Sequence, residues 1–147
     1  MAVIDKDITD LVARAADANA ALMRGDAEQY FALISLAEDF TLMAPFGGPP
    51  TQGFDMSSDR MAALGRFFRA GRTALELVRS YATDEMAVLV VIERQTVEVG
   101  GLPEQDWSLR VTLVFRRDGP EWRLVHRHAD PLVKGVSLEQ AAAIARG

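Results

Sequence analysis

The sequence predicts an α+β domain: helices first, then an antiparallel meander packed against them. Three observations carry this. Apolar residues recur at helical spacing through about residue 70. From Thr73 onward the period changes to two, in segments rich in β-branched and aromatic residues. Between those segments stand "TDE", "GGLPEQ" and "DGP", each a turn signal.

Residues 7–24 place Ile8, Leu11, Val12, Ala15, Ala18 and Leu22 on one helical face. The "RGD" at 24–26 reads as a junction. Gly25 suits a left-handed C-cap, and Asp26 with Gln29 forms a capping-box pattern for a second helix through about Leu36. "DFTLMAPFGGPP" (39–50) reads as a short strand stopped by Pro and Gly. A third helix is expected from about Ser57 to Ala70, capped by Ser57 or Ser58 and ended by Gly71. Strands are expected at 73–82, 86–99, 106–117 and 121–129. A last helix covers 137–147, with Ser137 paired to Gln140. The 147 residues form one domain, with residues 1–6 expected to be loose.

Composition narrows the function classes. The net charge of −5 argues against a nucleic-acid footprint, which shows a basic surplus or stripe. No apolar run approaches the roughly 20 residues a membrane span needs. The opening "MAVIDKDITDLV" lacks a basic region followed by an apolar run, so no leader is expected and the cytoplasm is the expected compartment. Cysteine is absent, which removes disulfides and thiol nucleophiles. "GGPP" at 47–50 has no following Lys-Ser/Thr and is no phosphate loop; no cofactor is expected.

The two histidines lie in "WRLVHRHADP" (122–131), where His126, His128 and Asp130 are spaced by two. On a strand such residues share a face. A hairpin turning at Asp118-Gly119 is expected to pair Phe115 with Trp122, Leu113 with Leu124, Val111 with His126 and Leu109 with His128. That register puts Trp107, Leu109, Trp122, His126, His128 and Asp130 on the core side, and Arg110, Arg116, Arg123 and Arg127 outside. For the strand at 86–99, the pocket side receives either Arg94 and Thr96 or Glu93 and Gln95.

The helix order, the meander, "RGD", "DFTLMAPFGG" and the tail "VFRRDGPEWRLVHRHADP" resemble the nuclear transport factor 2-like superfamily, in particular its SnoaL-like and ketosteroid-isomerase-like bacterial proteins. The resemblance covers nearly the whole chain. It implies a cone-shaped (cystatin-like) fold around an apolar pocket, and a homodimer through the outer sheet face. Val125 to His128 is also similar to a closing strand in the association domain of calmodulin-dependent protein kinases. The isomerase pattern itself is empty here. Its aspartate base, oxyanion-hole tyrosine and protonated aspartate fall on Ala44, Ala18 and Leu113. Steroid isomerisation by that design is therefore not expected.

The expected site has His126 or His128 moving a proton, with Asp130 fixing the tautomer. Tyr30, Arg94, Trp107, Leu109 and Trp122 are its candidate substrate-binding residues, Arg94 as the holder of an anionic group. The plainer reading makes both histidines hydrogen-bonded groups that line a cavity or finish a dimer surface. A metal reading needs a further ligand such as Glu93, and no metal is expected. The expected function is small-molecule binding, with acid–base isomerisation, dehydration or cyclisation of an apolar oxygenated substrate as its chemistry. A non-catalytic association module is the alternative, marked by a cavity filled with the protein's own side chains.

Overall fold

The computed structural model describes residues 2–147, with side chains described from Asp5 onward. Helices α1 (Ala2–Met23) and α2 (Ala27–Leu33) come first, followed by strands β1 (Leu36–Met43) and β2 (Thr51–Gln52). Helix α3 (Ser58–Phe67) then leads into β3 (Phe68–Ala82) and β4 (Met86–Val99). The chain continues through β5 (Gln105–Asp106), β6 (Leu109–Asp118) and β7 (Glu121–Pro131) to α4 (Leu138–Arg146). The loose segment expected over 1–6 falls in part on Met1, outside the described residues; helix α1 starts at Ala2.

The caps form where the sequence places them. Asp26 accepts from the Gln29 amide at 3.0 Å, Ser57 from Arg60, and Ser137 with Gln140 closes a full capping box. Gly25 sits at φ +88°, where a Cβ would meet the Gly65 and Phe68 carbonyl oxygens at 2.9 and 3.0 Å.

Two boundaries move. Helix α2 ends at Leu33, and Leu36 already opens β1. Helix α3 ends at Phe67, because Phe68 and Arg69 pair with Val99 and Glu98 of β4, and ladder pairing overrides local helix preference. Gly71 is consequently no helix terminator. It lies in β3, where a Cβ would come within 2.7 Å of the Met23 Cβ and carbonyl oxygen and of Val97.

The sheet runs β2-β1-β7-β6-β4-β3, with β5 added to β4. The expected antiparallel meander of four strands forms as β3-β4-β6-β7, and β1 adds to it in parallel beside β7, so the whole sheet is mixed. The expected cone is corrected: the path ends at β2 and β3, so the sheet is open, neither closed on itself nor strongly curled. Helix α1 covers one face. Leu11, Ala15 and Ala18 meet Leu89 and Val91 of β4, Leu113 and Phe115 of β6, and Leu124 of β7. Full burial of side chains such as Phe115 and Leu124 stabilises by about 1.5–3 kcal/mol each. Helix α4 buries none of its residues.

Candidate functional site

The site is decided by one residue of β7. From the turn inward, Arg117 pairs with Trp122 and Phe115 with Leu124, two residues from the expected pairing of Phe115 with Trp122 and Leu113 with Leu124; an even shift still keeps Phe115, Trp122 and Leu124 on the helix side. Val125 is then an extra residue, for the next pair is Val114 with His126. A bulge of this kind exchanges the faces of everything beyond it. Leu113 now pairs with Arg127, Thr112 with His128, and Arg110 with Asp130. The expected inward histidine row is corrected: His126, His128 and Asp130 share the outer face with Val114, Thr112 and Arg110, while Arg127 turns in. The parallel partner shifts at the same place, from Leu36–Leu124 to Thr41–His126.

Strand β4 settles its open alternative in the same sense. Ala87, Leu89, Val91, Val97 and Val99 are buried, and the same alternation carries Glu93 and Gln95 inward. The Glu93 carboxylate, 2% exposed, meets Arg127 in a two-pronged pair at 2.8 and 2.9 Å. Burial works against the Arg127 charge; Glu93, by proximity and by hydrogen bonding, more than offsets it and holds the guanidinium well above its ordinary range. Tyr30 of α2 is half-buried and lines the same space as this pair. Burial pushes its hydroxyl above the usual phenol range, Arg127 opposing the rise and Glu93 adding to it. Beside them Asn19 of α1 donates to Gln95 at 2.9 Å and to Thr73 at 3.1 Å, and Gln95 donates to the Trp107 carbonyl.

This polar group sits in an apolar surround that includes Ala15, Ile34, Phe115 and Leu124. Ala18 and Leu113 line the same space, so two of the three isomerase positions are interior but carry no polar atom. The remaining cavity is about 10 Å³, at the lower bound of what holds one water. The expected open pocket is thus filled by the protein's own side chains.

The other expected residues lie elsewhere. Arg94 faces outward and binds Glu76 at 2.9 Å, beside an open depression of about 480 Å³ that Arg72, Thr96 and Asp106 also line. There Asp106 accepts from the amide and hydroxyl of Ser108. Leu109 is core. Trp107 packs between the two apolar clusters, with Phe46 against its ring at 5.7 Å. Trp122 donates to Asp7 and lies under Arg117, clasping α1 to the hairpin tip. On the outer face His126 Nδ1 and Thr41 Oγ1 are 2.8 Å apart, and His128 lies 3.5 Å from Asp130. Among the described residues no three His, Asp or Glu side chains gather as metal ligands.

Glu93 and Arg127 were missed as a pair, yet a signal existed. The face of β4 that ends in Val97 and Val99 must be the buried one, and it carries Glu93 with it. A buried carboxylate requires a cation, and Ala129 marks the face of β7 that Arg127 shares.

The family model for the SnoaL-like domain matches residues 11–133. Among solved structures, the chain is similar to a candidate dehydratase of the NTF2-like family from Streptomyces avermitilis, at 23% identity and TM-score 0.67, covering 88% of this chain and 99% of that one. It is similar to an NTF2-like superfamily protein from Salmonella enterica serovar Typhimurium, at 17% identity and TM-score 0.69, with 94% and 97% covered. A candidate scytalone dehydratase from Novosphingobium aromaticivorans gives 14% identity and TM-score 0.69, with 89% of each chain covered. At these identities the likeness is one of fold. No curated protein matches.

Proposed function

Since this chain belongs to the SnoaL-like domain family, we propose that it binds a small molecule in the interior between α1, α2 and the sheet, against Glu93, Arg127 and Tyr30. One observation carries the reading: a paired carboxylate and guanidinium, with a phenol and the Asn19 and Gln95 amides beside them, stand among apolar core side chains. Such a pair contributes little net stability, because desolvation costs about what the attraction returns. Net stability alone does not call for it there, whereas a ligand with oxygens to be recognised does. The cavity must widen for entry. Helix α2 is the wall least anchored, seven residues long with only Ala27 buried.

The test is saturation-transfer NMR with 2-naphthol on the native chain and on the double variant Glu93→Leu/Arg127→Met. Binding to the native chain that the folded double variant loses supports the reading. No transfer in the native chain, or equal transfer in both, refutes it.

A second reading is favoured by the filled interior: an association module whose outer sheet face meets a second copy. That face aligns Tyr81, Val88 and Val114 across three strands, with Val90 and Ile92 adjoining. No helix covers it. Sedimentation of Val90→Arg tests this; a dimer in the native chain that becomes a monomer in the variant supports the reading, and a monomeric native chain ends it.

A further inference from the structure

We infer that the interior site selects an uncharged, hydroxyl-bearing apolar ligand, and that Glu93 enforces this selection. The inference rests on the interior-binding reading and deepens it. Both terminal nitrogens of Arg127 donate to the two oxygens of Glu93, at 2.8 and 2.9 Å. The pair is formally neutral. A ligand carboxylate, whether it displaces Glu93 or bonds an N–H of Arg127 that Glu93 does not use, brings a second negative charge against one guanidinium. An ammonium on a free Glu93 lone pair brings a second positive charge against one carboxylate. Either ion therefore adds one uncompensated charge to a formally neutral, largely desolvated site, which disfavours its binding.

A neutral ligand leaves the pair intact and meets what it has not used. Each Glu93 oxygen keeps a further lone pair, and Asn19, whose amide donates to Thr73 and Gln95, keeps its carbonyl oxygen as an acceptor. Tyr30, held protonated by burial, both donates and accepts. A hydroxyl is the group that answers both kinds at once, donating to Glu93 or Asn19 and accepting from Tyr30. The apolar wall of Ala15, Ala18, Ile34, Leu113, Phe115 and Leu124 takes the rest of the molecule.

The experiment compares 2-naphthol, 2-naphthoate and 2-naphthylmethylammonium at pH 7 by titration calorimetry, in the native chain and in Glu93→Gln. In the native chain 2-naphthol should bind at least roughly tenfold more tightly than either ion. In Glu93→Gln the order should reverse in favour of 2-naphthoate, because Arg127 is then an uncommitted cation. Should Glu93→Gln fail to fold, the comparison of the three probes on the native chain stands by itself. Equal or tighter binding of 2-naphthoate to the native chain overturns the selection while leaving interior binding standing. Failure of all three probes overturns both.

Discussion

Arg127→Met is the perturbation that most directly tests the assignment of the interior. It removes the guanidinium and leaves the Glu93 carboxylate, 2% exposed, facing an apolar chain. Breaking a buried pair from one side costs about 3–5 kcal/mol. The Arg127 side chain is 19% exposed, so some water reaches the gap and the lower end, about 3 kcal/mol, is expected here. Replacing both partners, as Glu93→Leu/Arg127→Met, removes the orphan and should return stability to within about 1 kcal/mol of the native chain, or above it. The coupling between the two sites in this cycle is then about 2 kcal/mol or more. Urea unfolding followed by far-ultraviolet circular dichroism measures all four members, with an unchanged m-value as the check that one transition is compared throughout. If Arg127→Met costs less than about 1 kcal/mol, or if the double variant is as unstable as the two singles summed, the pair is not the buried, mutually dependent unit described.

Three further outcomes follow from the same geometry. Gly71→Ala forces a Cβ onto Met23 and Val97 at 2.7 Å and should cost about 2–3 kcal/mol in the same urea assay; a neutral result would mean that α1 and β3 do not approach this closely. Tyr30 contributes to pH dependence only in the alkaline range. Its folded-state pKa lies above the ordinary 10.0, so stability is intact below about pH 10 and declines as the unfolded chain alone gives up its proton. Tyr30→Phe should flatten that part of the stability profile, and an unchanged alkaline slope would refute the buried phenol. His126→Ala and His128→Ala should each leave 2-naphthol affinity within about twofold, since both rings lie across the sheet from the interior; a large loss in either would put the imidazoles back in the binding site.

Much of the fold is legible because it is written in local chemistry. Gly25, Asp26, Ser57 and Ser137 mark helix ends through caps that need only neighbouring residues. The inner row Leu109, Val111, Leu113 and Phe115 is legible because alternation along one uninterrupted strand fixes it. What fails is whatever depends on a partner far away in sequence. Helix α3 stops early because β4 claims Phe68, and β1 runs parallel to β7, whose His126 lies 85 residues beyond its partner Thr41. The open course of the sheet is likewise a property of the whole strand order, which no single strand reports.

The histidine row is the instructive failure, because the alternation rule is right and the count is wrong by one. His126, His128 and Asp130 do share a face; the extra residue Val125 decides which. The choice is not arbitrary once β4 is considered. Its alternation commits Glu93 to the interior with Val91 and Val97, and an unpaired carboxylate there is costly. Without the bulge, the interior would hold that carboxylate opposite two imidazoles, with Arg127 in solvent and Ala129 exposed. With it, the interior gains a two-pronged guanidinium and buries Ala129, and the imidazoles reach an outer face where Thr41 meets His126. The bulge and the Glu93–Arg127 pair are thus one decision. Deleting Val125 should accordingly restore continuous alternation only by separating Arg127 from Glu93. The deletion variant is therefore expected to unfold at lower urea than Arg127→Met, having lost the pair and misplaced the whole end of β7; if it is instead as stable as the native chain, the pair does not set the register.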